Sequence, residues 1–358
     1  MVIAVDEATF RILDTLSREL GNTISIHQLT SKIREYHGTA YYAGTYNKLN
    51  DLRKQGLITL TSAGRSSIPS LNLASYSLLD MLSEIELRKK REFLDKSKTL
   101  QLLLMDMESY AHTDASIESI SIINPERNAR LNRAELLILL HHANSGTFSH
   151  ELISLDNSLR RLQSARIIRI DSLSLTPNEF RSLIVADEIN PLKEMLSNRI
   201  TFYNSSSFWL NIASLIRAAG KIRFEKEQTT PGKISDIDLS YNLLRFGYRE
   251  LGTGIKEGRR ICIEYIVSAL LMQGGARQID AVPIILAKNN TDYNLLVFLC
   301  QKYGQSGKLL GLLRALQELK PSSDIANSIK RLEAMGAKEI RADRKSIGGK
   351  MKVYDVNR

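Results

Sequence analysis

The sequence predicts an α+β chain of several domains, and three observations lead there. Apolar residues recur at helical spacing through most of the 358 residues. A few short runs instead alternate with a period of two, or stay apolar throughout, as strands do. The length also exceeds that of a single small module. Apolar residues make up 43% of the chain and charged ones 25%, a balance that allows substantial cores. Lys and Arg outnumber Asp and Glu by 49 to 39, for a formal charge of +10 and a pI near 9.4. A positive field of this size favours polyanions such as nucleic acid or anionic lipid. The start Met-Val-Ile-Ala-Val-Asp-Glu has no basic region leading into a long apolar core, so no signal peptide is expected. The densest apolar runs, such as Leu295 to Cys300, fall far short of the roughly 20 residues that span a bilayer, so no membrane partner is expected. Cys262 and Cys300 lie in apolar helical stretches and read as small buried side chains rather than a disulfide. The expectation is a cytoplasmic protein without a cofactor.

In residues 1–75, Phe10, Ile12, Leu13, Leu16 and Leu20 recur at helical spacing, and Gly21-Asn22 ends that helix. A second helix is predicted from Ile26 to Tyr36, closed by His37-Gly38. A third runs from about Ala40 to Gln55, with Tyr46, Leu49 and Leu52 on one face and Gly56 as its stop. Two strand-like runs follow, Leu57-Ile58-Thr59-Leu60 and Ser70-Leu71-Asn72-Leu73, around the polar turn Thr61 to Ser67. The pattern Thr45-Tyr46-x-x-Leu49-x-x-Leu52-x-x-x-Gly56-Leu57-Ile58 resembles the recognition helix and first wing strand of winged helix-turn-helix transcriptional regulators, archaeal ones included. That resemblance covers about a fifth of the chain and implies a domain whose third helix enters the major groove. The outward positions would then be Tyr42, Gly44, Thr45, Asn47, Lys48 and Asp51. Asn47 suits a base edge, Lys48, Arg53 and Lys54 suit phosphates, and Arg65 sits where a wing tip reaches the backbone. Tyr46 is expected in the core, while Tyr41 and Tyr42 fit either role. A winged helix that binds protein instead of DNA is the alternative.

Residues 76–112 contain neither proline nor glycine, and one long connecting helix is predicted. Its apolar clusters, Leu78 to Ile85 and Leu100 to Leu104, flank the charged run Glu86 to Glu92. Regulators of this kind often pair subunits through such a segment, so a homodimer is one expectation and a linker helix packed on its own chain the other.

Residues 113–230 alternate between strand and helix patterns, as an α/β domain does. Ile117 to Ile122 alternates, Ala134 to Leu140 is continuously apolar, and a helix from Phe148 to Gln163 leads into a strand from Ile167 to Leu173. Thr176-Pro177-Asn178-Glu179-Phe180 starts another helix, and the strand Arg199 to Tyr203 precedes a helix holding Trp209. This order resembles the minimal nucleotidyltransferase domain of the polymerase-β type, in which a Gly-Ser turn and an Asp-x-Asp pair precede a third acid. Asn124-Pro125 stands where the resemblance implies Gly-Ser, and Asn132-Arg133-Ala134-Glu135-Leu136 where it implies the paired acids; only Asp171 fits the third. Nucleotidyl transfer needs carboxylates to hold two Mg²⁺ ions, and Arg133 puts a positive charge in that place. The resemblance therefore implies a scaffold without the reaction, and an unrelated α/β domain is the other reading. His141, His142 and His150 lack the cysteine or carboxylate companions of a metal site, so no metal is expected. Gly252-Thr253-Gly254 with Gly258-Arg259-Arg260 lacks the Gly-Lys-Ser/Thr ending of a phosphate loop and reads as a turn between helices.

Residues 231–358 read as mainly helical: Asp236 to Arg249, Arg259 to Met272, Ala276 to Ala287 and Tyr293 to Tyr303. Arg277 to Leu286 and Leu309 to Leu313 resemble segments of archaeal regulators and of Abi-type antitoxins of type IV systems, which implies a toxin as a further partner. From about residue 290 the chain reads as a second winged helix. Its helix would end at Gly336, and its hairpin would run Lys338 to Lys345, turn at Ile347-Gly348-Gly349, and return over Lys350 to Val356. Arg344, Lys345, Lys350 and Lys352 would then be phosphate contacts, or the basic residues of a solvated edge. No catalytic residue is assigned. The function expected is that of a non-catalytic, sequence-specific double-stranded DNA-binding protein, a transcriptional regulator associated with the nucleoid, antitoxin-like in one version. An active nucleotidyltransferase and an architectural or replication protein are the alternatives.

Overall fold

The computed structural model describes residues 5–141, 148–220, 222–225, 229–250 and 257–355. They form an α+β architecture in which helix predominates. In chain order the elements are α1 (Glu7–Arg18), α2 (Ile26–His37), α3 (Tyr42–Lys54), β1 (Ile58–Ala63), β2 (Ser66–Leu71), α4 (Tyr76–Leu94) and α5 (Lys98–Thr113). Next come β3 (Ile117–Ile123), α6 (Pro125–Arg130), β4 (Arg133–Leu140), α7 (Phe148–Arg166), β5 (Arg169–Leu175), α8 (Pro177–Val185), α9 (Pro191–Ser197), β6 (Arg199–Tyr203) and α10 (Ser205–Ala219). The remainder is a 3-10 turn (Pro231–Lys233), α11 (Asp236–Arg245), α12 (Ile263–Gln273), α13 (Ala276–Ile279), α14 (Ala281–Lys288), α15 (Tyr293–Lys302), α16 (Ser306–Leu319), α17 (Ser323–Ala334) and α18 (Arg344–Val353). Among the described residues no helix is long and apolar enough to cross a membrane.

Two compact units emerge, and their boundaries differ from those expected at 75, 112 and 230. The first comprises Met1–His141, Phe180–Val185 and Leu192–Lys226; the second comprises His142–Glu179, Ala186–Pro191 and Glu227–Arg358. Local pattern identifies elements but not which apolar faces end up sharing a core, so the chain returns to the first unit twice after leaving it.

The first unit starts with well-capped helices. Asp6 caps α1 by accepting from the Thr9 amide. Ser25 and Gln28 close a reciprocal capping box on α2, an arrangement whose loss costs about 1 kcal/mol. Leu13, Leu16, Leu29, Ile33, Leu49 and Leu52 are buried where α1, α2 and α3 pack on one another. The antiparallel hairpin β1–β2 follows, Ile58 opposite Leu71 and Ala63 opposite Ser66. Gly64, with φ of +59°, takes the left-handed conformation its tight turn requires.

Farther along the unit, β3 lies between β4 and β6 and is antiparallel to both, with Ile122 opposite Leu136 on one side and Ile200 on the other. β4 is buried from Ala134 to Leu140, which accounts for its continuous apolar run. α4 packs against α1, α10 and β6. Leu78, Leu79, Leu82, Ile85 and Phe93 are thereby buried inside the unit, as are Leu100, Leu103 and Leu104 of α5, while Leu102 stays exposed. The single connecting helix expected over 76–112 is also corrected, because it breaks at Asp95-Lys96-Ser97. None of these three side chains is buried, and Asp and Ser are poor helix formers, so nothing holds the helix together there. Gly21 approaches the backbone of Ile222 and Arg223 so closely that a Cβ on it would lie 1.8 Å from the Ile222 carbonyl oxygen.

α15 is the centre of the second unit, buried from Leu295 to Cys300 and packed against α12, α16, α17 and β5. The buried Arg331 of α17 donates from Nε to Asp156 of α7 at 2.7 Å. It also reaches Asn294, whose amide donates to Glu179 at 2.8 Å. The helix predicted over Asp236 to Arg249 stops at Arg245, and the one predicted over Ala276 to Ala287 divides at Asp280.

The expected second hairpin is overturned. Residues 338–343 form no strand, and the supposed turn Ile347-Gly348-Gly349 lies inside α18. Asp343 caps this helix on the Lys345 and Ser346 amides, and Ile347 and Met351, one turn apart, are buried where α18 packs on α14 and α16. Neither glycine has positive φ. A Gly-Gly pair suggested a turn, but the capping and the apolar pair at i, i+4 decide for helix.

Candidate nucleic-acid interface

The surface of α3 follows from its period. Thr45, Leu49 and Leu52 stand at i, i+4 and i+7 and are buried. Tyr42, Tyr46, Asn47, Arg53 and Lys54 therefore face solvent. Two expectations change. Thr45 is only 6% exposed and is core rather than contact, whereas Tyr46, expected in the core, is 43% exposed. One residue of helical phase, about 100°, separates these two fates. Tyr46 stacks on Tyr42, with ring centroids 6.2 Å apart and planes 17° from parallel, and Tyr41 beside them is largely exposed. Lys48 is half-buried and pairs with Asp6 at 2.6 Å. Burial pushes the Asp6 carboxyl up, but Lys48 and the Thr9 amide prevail and hold it below its ordinary value. Lys48 is thus partly neutralised, and Arg53 and Lys54 are the better-placed cations of the helix. Arg65 is exposed in the turn of the hairpin.

The C-terminal cations belong to the second unit and sit on α18 rather than on a hairpin. Lys345 and Lys352 are exposed, and Arg344 pairs with Glu318 at 2.9 Å. Lys350 contacts Glu250 at 3.2 Å, Asp280 at 3.4 Å and the Tyr248 hydroxyl at 3.2 Å. Burial lowers its pKa, but Tyr248, Glu250 and Asp280 outweigh that and raise it. Lys350 is therefore a structural tie, with its charge already matched.

The remaining sequence candidates resolve as follows. His141 and His150 are exposed, and His142 and Gly252-Thr253-Gly254 lie outside the described residues. Arg259 donates its amide and Nε to Asp238, both at 2.9 Å, and thereby holds α11 rather than a phosphate. Arg133 lies 3.5 Å from Glu135 on β4, and Arg169 lies 3.2 Å from Asp171 on β5. The latter two acids fall in different units. Among the described residues no group of three His, Cys, Asp or Glu side chains is arranged to hold a metal ion.

No family model, curated protein or solved structure matches this chain.

Sequence reading missed a buried charge network in the first unit. Asp14 is fully buried between Lys89 at 3.1 Å, Arg18 at 2.9 Å and His37 at 3.3 Å. Burial alone would raise its pKa; Lys89, Arg18 and His37 more than reverse this and keep the carboxyl well below the ordinary carboxylate range. Glu86 accepts from the Thr201 amide at 2.8 Å and lies 3.7 Å from the guanidinium of Arg199. Arg199 is itself buried over the rings of Phe208 and Trp209, at 4.3 and 4.8 Å. The signal was present: Glu86 and Lys89 fall on the same helical stripe as Leu82, Ile85 and Phe93, where charge is out of place unless paired.

Proposed function

We propose that this chain binds double-stranded DNA through a winged helix formed by α1, α2, α3 and the β1–β2 hairpin, and that it acts as a transcriptional regulator without catalysing a reaction. The observation that carries this reading is the exposed face of α3. Its exposed surface carries an amide, Asn47, with Asp51 on the same side and two cations, Arg53 and Lys54, in the last turn, and a further cation, Arg65, stands in the turn of the adjoining hairpin. An amide bonds both acceptor and donor on the edge of an adenine, while the guanidinium and ammonium groups neutralise phosphates. The overall charge of +10 adds a long-range attraction. The exposed tyrosines Tyr41, Tyr42 and Tyr46 also suit a protein partner, for which aromatic residues are preferred.

Genomic footprinting with the intact chain, followed by titration of a recovered site, tests the proposal. Asn47→Ala is expected to cost about 1–3 kcal/mol on that site and little on random DNA. Arg53→Ala, Lys54→Ala and Arg65→Ala should weaken binding to all sequences and each reduce the salt slope by about 1. Failure of the intact chain to retain any duplex at low salt would overturn the proposal; binding that ignores all four substitutions would overturn the interface.

A further inference from the structure

A cleft of about 630 Å³ opens in the first unit between α1, the last turn of α2, the end of α4, the start of α6 and Ser197–Ile200. This is within the range of small-molecule sites. Its charges are sorted by depth. At the floor, the cations Arg18, Lys89 and Arg199 stand against the carboxylates Asp14 and Glu86, the last lying behind Lys89 and Arg199. At the mouth, the exposed carboxylates Glu35, Glu92 and Glu126 stand against Lys96 within the cleft, with Glu92 also paired to Arg88 outside it. The floor therefore carries an excess of positive charge and the mouth an excess of negative charge. Nε and Nη2 of the buried Arg199 make no hydrogen bond, although Nη2 lies 3.7 Å from Glu86, and Oδ1 of Asp14 likewise accepts none. Arg18 gives Nε to Asp14 and Nη1 to Asn198 at 3.5 Å, yet its side chain keeps 22% of its surface exposed and can meet a further acceptor. The rings of Phe10 and Phe93 supply apolar wall.

We infer that this cleft binds a basic α-amino acid, with its carboxylate at the floor on Arg18 and Lys89 and its cationic side chain at the mouth on Glu92 and Glu126. The charge pattern selects this class. A plain anion meets three carboxylates on the way in, and a plain polyamine meets an excess of cations at the bottom, whereas a ligand with one carboxylate and a cationic side chain matches both ends. Arg88 holds Glu92 from the far side at 2.8 Å and helps fix its position at the mouth.

Calorimetric titration and thermal-shift measurements on the intact chain, with no DNA present, provide the test. Arginine, lysine and ornithine are each titrated up to about 10 mM, beside agmatine, glutamate and inorganic phosphate. At least one basic amino acid should bind and raise the melting temperature, while agmatine, which lacks the carboxylate, should not. Glu92→Gln and Glu126→Gln, both exposed and so tolerated by the fold, should each weaken binding about tenfold without moving the melting temperature of the free chain. Arg18→Gln should abolish binding, and if that variant fails to fold, the two mouth variants decide. Binding of agmatine as tightly as arginine, binding only of glutamate or phosphate, or no binding of any basic amino acid would overturn the inference. Because DNA takes no part in these measurements, their failure leaves the DNA-binding reading standing, and the reverse also holds.

Discussion

Asp14 is held by three partners, and its substitution should expose what that arrangement is worth. Asp14→Asn leaves Lys89 and Arg18 without their shared carboxylate in a buried setting, which typically costs about 3–5 kcal/mol. Chemical denaturation of the variant measures this directly. The same carboxyl fixes a pH dependence: its folded pKa lies below its ordinary value of 3.8, so the stability it contributes is present above about pH 4 and is lost on acidification below that. Glu264 and Asp292 in the second unit have the opposite sign. Burial, with Asp292 beside it, pushes Glu264 up to about 7, and burial, with Glu179 nearby, pushes Asp292 up to about 6. Their contribution is complete below about pH 4 and disappears as pH rises through 6 and 7, when both must ionise inside the protein. Glu264→Gln should therefore flatten the loss of stability between pH 5 and pH 8; an unchanged slope in paired denaturation curves would refute the assignment. At Gly21, φ is +78° and a Cβ would strike Ile222, so Gly21→Ala is expected to destabilise by more than about 1 kcal/mol.

Among the elements, α18 is the sharpest test, since helix and hairpin predict opposite outcomes for one change. A Cβ at Gly349 meets nothing within 4 Å, and its φ is not positive. Gly349→Ala should then stabilise the chain by about 0.4–1 kcal/mol, whereas a glycine in a hairpin turn would resist it. A thermal melt of this single variant distinguishes the two. The contrast between elements also shows what the sequence makes legible. β4 and α15 announce themselves because seven and six consecutive residues, respectively, are buried. α18 has only Ile347 and Met351 to bury, too few to outweigh its glycines on paper. In α3 the helix itself was legible, but its phase rested on Tyr46, which is amphipathic enough to serve as core or surface. Thr45, small and β-branched, took the inward place instead. The charge network was harder still, because Asp14, Lys89 and Arg199 lie far apart in sequence and meet only after folding.

For the whole molecule, the buried carboxyls give the two units different pH windows: the contribution of Asp14 in the first is lost below about pH 4, and that of Glu264 and Asp292 in the second as pH rises through 6 and 7. Hydrogen exchange between pH 5 and pH 8, corrected for intrinsic rates, should show protection falling in α12 and α15 of the second unit while the α1–α4 region of the first holds steady. Equal behaviour in both would contradict the linkage argument. Domain boundaries were the least legible property at this scale. Residues 192–226 join the first unit from more than fifty positions beyond its main segment, through contacts such as Phe224 donating to the Leu20 carbonyl at 2.9 Å. The Asp14 network carries a consequence for modularity. Small segments of three helices and a hairpin are often treated as cassettes to be excised and grafted onto other proteins. Here the carboxylate at the base of α1 has its counter-charge on α4, and the neighbouring cation enters with β6. A fragment of residues 1–75 would carry the whole exposed face of α3 and yet leave Asp14 without Lys89. The N-terminal segment and α4 share one buried charge network, and an engineer who wants the first must take the second.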